Sequence, residues 1–354
     1  MRSRGVIGYL TTHERIRRGR SLVALLSRIS RDLCIDVCAF SHRDIDRRAL
    51  TVRCRLIGPN YSSDETVVRP IPRVIRHREP MTLTAAIGLR GWVRDCGCSV
   101  LLNEINHFDK LAVNRLLARD PAICPAIPAF GELSHRTFVA LYSEGSVYVK
   151  RRVSYNRNGM IEVRRTPNTT VLKFDTNGRQ VQQRRVLPTT DPDLVYEEVE
   201  RLISSKHRYF VQSAPPVAEV QGDPFDLRLI TQRGASGAWQ VTGTYAKIIS
   251  DVQGSVRVRV VPALPVLEFL FGDKAVDVIG SLRSLAVRIA EGIGGTGDYC
   301  DLGLDLAVSN SGQIFFFESN GRHDISIPYN VGDLDIWVAA VRTPMEYCYT
   351  RLIS

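Results

Sequence analysis

Three side chains near the end of the chain, Asp305, Glu318 and Asn320, have types and spacing that could hold a cation. Carboxylate and amide oxygens are the hard ligands that Mg²⁺ prefers, and a protein-bound Mg²⁺ commonly carries the phosphates of a nucleotide. The alternative is that these polar residues only face water along a hairpin, as the polar side of many sheets does. The spacing leaves both interpretations open.

The pattern around these residues predicts a β-hairpin that would bring them together. Apolar and small or polar residues alternate from 302 to 308, which is the period of a strand with one buried face. An Asn-Ser-Gly turn separates this segment from a second apolar one at 314–317. Side chains two apart on a strand share a face, so Glu318 and Asn320 would project together, with Asp305 beside them.

Composition places the chain among globular proteins. It has 354 residues, 44% of them hydrophobic, enough for two or three domains. No segment approaches the run of about 18 apolar residues that a membrane-spanning helix needs, and the short apolar segment near the start does not suit a signal peptide. We therefore expect a cytoplasmic protein without a membrane partner. The eight cysteines contain no Cys-x-x-Cys pair, so we expect mostly buried, reduced thiols and no zinc site.

The net charge of +10 predicts attraction to polyanions such as nucleotide phosphates or an acidic peptide. Segment 151–185 holds nine basic residues against two acidic ones. Aromatic residues are not interleaved with this segment, as a single-strand nucleic-acid surface requires, so a nucleic-acid partner is not expected. The alternative is a solvated basic face without a partner.

The first part of the chain has the pattern of a small α/β domain. A strand at 6–10, an amphipathic helix at 17–33 and a strand at 34–40 form a βαβ start. We predict further elements at 88–96, which suits a helix, and at 99–102, which suits a strand.

The sequence Asp301-x-Gly303-x-Asp305, followed by a turn and a strand closing on Glu318-x-Asn320, resembles the magnesium-binding hairpin of ATP-grasp enzymes, and more narrowly that of YheC/YheD-type proteins. The resemblance implies an α/β N-terminal domain followed by an α+β ATP-grasp fold, in which two subdomains clamp ATP. It places the N-terminal domain at 1–104 and the ATP-grasp domain at 105–354. Within the latter, a flap-bearing subdomain would cover about 135–210 and a catalytic subdomain about 211–354.

The resemblance also assigns residues to the nucleotide. Lys110, at the start of a helix, and Lys150, at the end of a strand, match lysines that face the phosphates. A flap would follow at 151–160, where Ser154 and Gly159 are the phosphate-side candidates. This flap departs from the family pattern because it has a single glycine, which puts turnover in doubt more than binding.

A second group of matches lies further along the chain. Gln212 ends the strand against which the adenine would dock, and Glu219 lies where a ribose-binding acid is often found. Arg228 interrupts an apolar strand, and a charge in such a place needs a partner, either phosphate or a carboxylate such as that of Asp226. Lys247 stands where the family commonly has an arginine. Arg228 and Lys247 are the predicted catalytic residues.

Two features after residue 290 have a structural interpretation. The glycine-rich segment 292–297 follows a helix and precedes a strand, which is the reverse of a dinucleotide-binding loop, so we predict a helix end. His323 lies beside the predicted metal ligands, and we expect it in a solvated turn rather than on a substrate carboxylate.

The chemistry implied by the resemblance is ADP-forming ligation of a carboxylate to an amine through an acyl phosphate, with ATP and Mg²⁺ as cofactors. Peptide or amino-acid ligation in natural-product biosynthesis is the preferred setting. A rival is a degenerate nucleotide-binding or structural protein, related to spore-coat association, and a further alternative is a kinase. The sequence does not specify the two substrates or the oligomeric state, a homodimer included.

Overall fold

The computed structural model describes residues 5–58, 66–154, 158–174, 183–252 and 255–354. The predicted flap residues 155–157 and the predicted hairpin turn at 175–178 lie outside the described residues. Within these described ranges, three sheets organise the fold, and three short 3₁₀ segments connect larger elements. These segments are His42–Asp44, Cys124–Ala126 and Gly272–Lys274.

The first sheet is mixed and comes from the N-terminal part of the chain. Its strands are β1 (Val6–Leu10), β2 (Asp36–Phe40), β3 (Ile45–Asp46), β4 (Thr51–Ile57), β5 (Thr66–Pro70), β6 (Val74–His77) and β7 (Val100–Leu102). Their order is β3-β4-β2-β1-β6-β7, with β5 beside β4, and β1 runs parallel to both β2 and β6. The associated helices are α1 (His13–Arg18), α2 (Arg20–Leu33) and α3 (Leu83–Cys96). The predicted helix at 17–33 is thus two helices separated at Gly19.

The second sheet is antiparallel and has the order β12-β11-β10-β9-β13-β8. Its strands are β8 (Phe130–Glu132), β9 (Val147–Arg151), β10 (Ile161–Arg165), β11 (Thr170–Phe174), β12 (Gln183–Leu187) and β13 (Tyr209–Ser213). The neighbouring helices are α4 (Lys110–Leu117), α5 (His135–Glu144) and α6 (Pro192–Leu202). Asp191 caps α6 by accepting hydrogen bonds from two backbone N–H groups. Apolar residues of α5 and α6 form one core with those of the sheet.

The third sheet is antiparallel and carries the predicted hairpin. Its strands are β14 (Glu219–Val220), β15 (Asp223–Arg233), β16 (Trp239–Val252), β17 (Ser255–Pro262), β18 (Asp301–Val308) and β19 (Ile314–Asn320). Their order is β17-β16-β15-β18-β19, with β14 beside β15. The helices of this part are α7 (Ala263–Phe271), α8 (Ala275–Gly294), α9 (Ile327–Asn330) and α10 (Leu334–Ile353).

Helices cover both sides of the third sheet. Helices α7 and α8 pack on one face, where Leu227, Leu229 and Leu304 belong to the largest core cluster. Helix α10 contacts the opposite face through Ala340, and it joins the core of the first sheet through Val341. The glycines after residue 291 end α8, as predicted. No helix in the described part of the chain is long and apolar enough to cross a bilayer.

Candidate functional site

The hairpin of β18 and β19 places the three predicted metal ligands together. Asp305 lies directly opposite Glu318, and Gly303 lies opposite Asn320 in the register. The Asn320 amide donates to Glu318 Oε1 at 3.2 Å and to Asp305 Oδ2 at 3.5 Å. The predicted hairpin is therefore confirmed, and β19 extends through Asn320 rather than ending near residue 317.

A row of charged side chains continues from this hairpin across the sheet. Arg228 on β15 lies opposite Asp305 on β18, and Asp226 on β15 lies opposite Lys247 on β16. Residues opposite each other or two apart share a face, so this row and the hairpin ligand Glu318 project to the same side. That side is the one on which α10 lies.

Two cations hold Asp305 in this structure. Arg228 forms a two-point contact, with Nε 2.7 Å from Oδ1 and Nη2 3.0 Å from Oδ2. Lys247 Nζ lies 2.9 Å from Asp305 Oδ1 and 2.6 Å from Asp226 Oδ1. Burial opposes ionisation of Asp305, which is 4% exposed, but the charges of Arg228 and Lys247 outweigh it and lower its pKa. The partner that Arg228 requires is thus a carboxylate here, although Asp305 rather than Asp226.

Lys110 joins the hairpin to the segment that follows β9 of the second sheet. Its Nζ lies 3.0 Å from Glu318 Oε2 and donates to Ser154 Oγ at 3.1 Å. Asp109 caps α4 and accepts hydrogen bonds from the Arg152 guanidinium, which fixes the start of the helix. Burial raises the pKa of Glu318, but the adjacent Lys110 outweighs this effect and lowers it overall. The structure therefore brings Lys110, Ser154 and Glu318 together.

Lys150 and Gln212 form a second polar pair beside the hairpin. They lie on neighbouring strands β9 and β13, and Lys150 Nζ donates to Gln212 Oε1 at 2.7 Å. The Lys150 ammonium lies 5.4 Å from the ring centre of Phe317, the residue before Glu318. Gln212 is fully buried, and its Nε2 has no hydrogen-bond partner among the described residues. Such an unpaired buried donor is costly unless a ligand or water satisfies it.

Gly159 and Glu219, the other two predicted nucleotide residues, lie outside these contacts. Gly159 has a φ of +69°, and a Cβ there would lie 2.1 Å from Arg151 Nε, so both backbone and space favour glycine. Glu219 is exposed on β14.

The prediction of a solvated His323 is wrong. His323 is 2% exposed, and neither of its ring nitrogens has a hydrogen-bond partner within the described ranges. Burial, with the nearby Arg78 and Arg228, lowers its pKa to about 3, although Asp301 acts in the opposite direction. A Cβ on Gly303 would lie 2.3 Å from the His323 Cβ, so β18 leaves room for this side chain only because residue 303 is glycine.

A buried ion network that the sequence pattern did not predict lies behind the hairpin. Arg76 and Arg78, at the end of β6, both donate to Asp301 at the start of β18, and all three are fully buried. Asn103 donates to the backbone oxygens of Asp301 and Gly321 at 2.6 Å each. The sequence feature that could have indicated this network is the run Arg76-His77-Arg78 at the end of an apolar strand, because buried charges require partners.

The donor set fits a magnesium ion. Two carboxylates and one amide are suitable oxygen ligands on rigid strands. The described residues contain no group of three or more His, Cys, Asp or Glu side chains suited to a metal, so Asn320 would be a necessary third ligand. As placed, the Asn320 amide nitrogen faces both carboxylates, and exchanging its nitrogen and oxygen by a half-turn would present an acceptor.

Comparison with known proteins agrees with this architecture. A family model described as YheC/D-like ATP-grasp matches residues 99–350. A curated relative, the endospore coat-associated protein YheD of Bacillus subtilis, is 24% identical over 235 residues, covering 62% of this chain and 49% of the relative. The chain therefore spans about half the length of that relative.

Solved structures share the fold at low sequence identity. Biotin carboxylase from Campylobacter jejuni, in a β,γ-ATP complex, has a TM-score of 0.54 and 13% identity, covering 97% of this chain and 71% of that one. D-alanyl-alanine synthetase A from Vibrio cholerae has a TM-score of 0.52 and 14% identity, covering 98% and 99%. These likenesses confirm the predicted α/β N-terminal domain followed by an ATP-grasp fold. The extent of the family match shows that the chain belongs to the YheC/D-like ATP-grasp family.

Proposed function

We propose that this protein is an ATP-dependent, ADP-forming ligase that joins a carboxylate to an amine. The observation that carries the proposal is the row of alternating charges that ends at the hairpin. Asp305, Glu318 and Asn320 lie together, and Arg228, Lys247 and Lys110 lie within hydrogen-bonding distance of the two carboxylates. A row of this kind suits a magnesium–triphosphate complex, because it offers ligands to the metal and cations to the phosphates.

The residues divide into three roles in this proposal. Asp305, Glu318 and Asn320 would hold Mg²⁺, which when bound offsets the charge of the phosphates. Arg228 and Lys247 are the cations that contact Asp305 and would stabilise the charge that develops during phosphoryl transfer. The nucleotide-side residues would be Lys110, Lys150, Ser154, Gly159, Gln212 and Glu219, of which Gln212 has the buried, unpartnered Nε2.

The reaction needs no nucleophile from the protein. An oxygen of the substrate carboxylate attacks the γ-phosphorus of ATP, the bond to the β–γ bridging oxygen breaks, and ADP leaves. The amine then attacks the acyl carbon of the acyl phosphate, the bond from that carbon to the phosphate oxygen breaks, and inorganic phosphate leaves as the amine loses a proton. Arg228 and Lys247 are suited to both steps because negative charge is transferred between oxygens in each.

Peptide or amino-acid ligation in natural-product biosynthesis is the setting we favour for this activity. The net charge of +10 supports an acidic acceptor, because a basic surface raises the local concentration of acidic ligands. Among the solved structures that share the fold is a D-alanyl-alanine synthetase, which is compatible with amino acids as substrates.

A second candidate is a nucleotide-binding structural protein without turnover. The flap segment 151–160 has one glycine, Gly159, and the curated relative is described as endospore coat-associated. A flap with little backbone freedom would slow the closure that ligation requires.

The test is the formation of ADP and phosphate from Mg-ATP in the presence of fractionated pools of amino acids and short peptides. We expect equal amounts of both products with the native chain and none with Asp305→Asn. Glu197→Gln is the matched control. The Glu197 side chain is 58% exposed on α6, so this substitution also removes one negative charge, but away from the cluster. Hydroxylamine should capture the acyl phosphate as a hydroxamate. ADP with a stable phosphorylated product and no hydroxamate would indicate a kinase, and ATP binding without ADP would support the structural protein.

A further inference from the structure

Two cysteine thiols lie side by side at the end of α3, away from the charged row. Cys96 and Cys98 are both partly exposed, and their Sγ atoms are 2.8 Å apart. This separation is short for two thiols, and it approaches the covalent S–S length of about 2.05 Å. Cys96 is the last residue of α3, so the pair marks the point where the chain leaves the helix toward β7.

Gly97 creates this proximity. It follows α3 in the left-handed conformation, with φ 61° and ψ 8°, and its N–H donates to the Val93 carbonyl at 3.2 Å. This is a common way for a helix to end, and it strongly favours glycine. The sharp reversal of the chain at Gly97 turns the Cys98 side chain back toward Cys96, so the fold itself places the two sulfurs in contact.

Four of the other cysteines lie in contacting pairs that solvent does not reach. Cys38 interacts with Cys54, and Cys300 interacts with Cys348, but these four thiols are at most 2% exposed. Cys124 is exposed and Cys34 is partly exposed, and the Cys34 Sγ donates to the Arg31 carbonyl oxygen at 3.7 Å. Thiol–disulfide exchange requires that the oxidant reach a sulfur, and disulfide closure requires a second sulfur nearby. Among the described cysteines, the Cys96–Cys98 pair meets both requirements.

We propose that Cys96 and Cys98 are a modification site at which a low-molecular-weight disulfide, such as glutathione disulfide, forms a reversible intrachain disulfide. One cysteine thiolate attacks a sulfur of the small disulfide, forming a mixed disulfide and releasing one small thiol. The second cysteine thiolate then attacks the protein-side sulfur of the mixed disulfide, which releases the second small thiol. The protein is oxidised by two electrons and loses two thiol protons, and the small disulfide is reduced to two thiols.

The surroundings connect this site to the hairpin. Arg94, two residues before Cys96, contacts Glu104 at 3.0 Å, and Cys98 leads through β7 to Asn103. Asn103 holds the backbone of β18 and the segment after β19, as described above. Burial and the hydrogen bond to Cys98 raise the pKa of Cys96, so oxidation should become faster as the pH rises and more thiolate forms.

The test is mass spectrometry of the full chain after equilibration with defined ratios of glutathione and its disulfide. Unreacted thiols are alkylated, and trypsin releases residues 95–110, a peptide that contains both cysteines and no other. In oxidising mixtures we expect this peptide to escape alkylation and to weigh two hydrogen atoms less than the unalkylated dithiol peptide. Reduction should restore both alkylation sites, and the peptide should carry little glutathione.

Single substitutions separate closure of the pair from ordinary thiol oxidation. In Cys96→Ser and Cys98→Ser, the remaining cysteine should accumulate a stable glutathione adduct, because the second thiol that would release it is absent. Cys124→Ser should leave the 95–110 peptide unchanged in its response. Equal glutathione adducts on the native chain and the serine variants, or a 95–110 peptide that stays reduced when Cys124 is fully modified, would overturn the proposal.

Discussion

Removing the charge of Asp305 should weaken the fold as well as the proposed metal site. Asp305 accepts hydrogen bonds from Arg228 and Lys247 at 2.7, 3.0 and 2.9 Å and is 4% exposed. Hydrogen bonds to charged groups contribute roughly 1.5–3 kcal/mol each. In Asp305→Asn, one oxygen remains as an acceptor, while the amide nitrogen faces a guanidinium that it cannot pair with. We therefore expect the free energy of unfolding to fall by about 3 kcal/mol, the lower end of the cost of breaking a buried ion pair.

Glu318→Gln is the informative comparison, because it also removes a proposed metal ligand. The Glu318 side chain is 27% exposed, and its ion pair with Lys110 is the main charge contact that it loses. A pair of this exposure is screened by solvent, so we expect a loss of at most about 1 kcal/mol. Both variants should abolish magnesium-dependent ATP binding, whereas only Asp305→Asn should lower stability strongly.

The assay is urea denaturation in the presence of EDTA and without nucleotide. Free energies of unfolding are compared between variants whose slope against urea concentration is the same as that of the native chain. Calorimetric titration with Mg-ATP supplies the second readout. An Asp305→Asn variant as stable as the native chain, or an equally destabilised Glu318→Gln variant, would refute the stabilising role of these contacts. Retention of magnesium-dependent binding by both variants would instead refute the metal assignment.

Three further predictions concern residues around the row. Lys150→Met should weaken ATP binding about tenfold or more, because it removes a buried charged donor. Lys206→Met, at an exposed position, should leave ATP binding unchanged. Titration calorimetry measures the affinity of both variants. Protonation of His323 is favoured in the unfolded chain below its ordinary pKa of about 6.5, but in the fold only below about 3. The free energy of unfolding should therefore fall as the pH drops from about 6.5 to about 3. In His323→Leu, the free energy of unfolding should depend less on pH over this range, which acid denaturation measures. Gly303→Ala should destabilise the fold, because the new methyl would lie 2.3 Å from the His323 Cβ, and thermal melting measures the loss.

The hairpin could be predicted from the sequence because its determinants are local. Alternation of apolar residues from 302 to 308 specifies which side chains share a face, and the Asn-Ser-Gly turn limits how the next strand can pair. The side chains of Asp305, Glu318 and Asn320 could therefore be expected on one patch. Their closeness required no knowledge of the rest of the chain.

The partners of this patch could not be predicted from pattern in the same way. Arg76 and Asp301 are separated by 225 positions in sequence, and their contact depends on how the first and third sheets pack. The sequence predicted a solvated His323 because this residue lies between two charged residues, Arg322 and Asp324, just after β19. Its burial comes from Gly303 on β18 and from Arg78, which directly follows β6 and donates to the His323 carbonyl oxygen. Local composition contains little information about such contacts.

Strand order decides which cations reach Asp305. Strand β18 is inserted between β15 and β19, although β15 and β18 are separated in sequence by two strands and two helices. This insertion places Arg228 opposite Asp305, and it brings Lys247 of β16 one strand further along the same face. If β18 paired at the outer edge of β17 instead, the same hairpin would keep its three oxygen ligands but lose both cations. The proposed phosphoryl transfer therefore depends on sheet topology as much as on the ligand motif, since the motif supplies the proposed metal ligands and the topology supplies the positive charge that such a transfer would require.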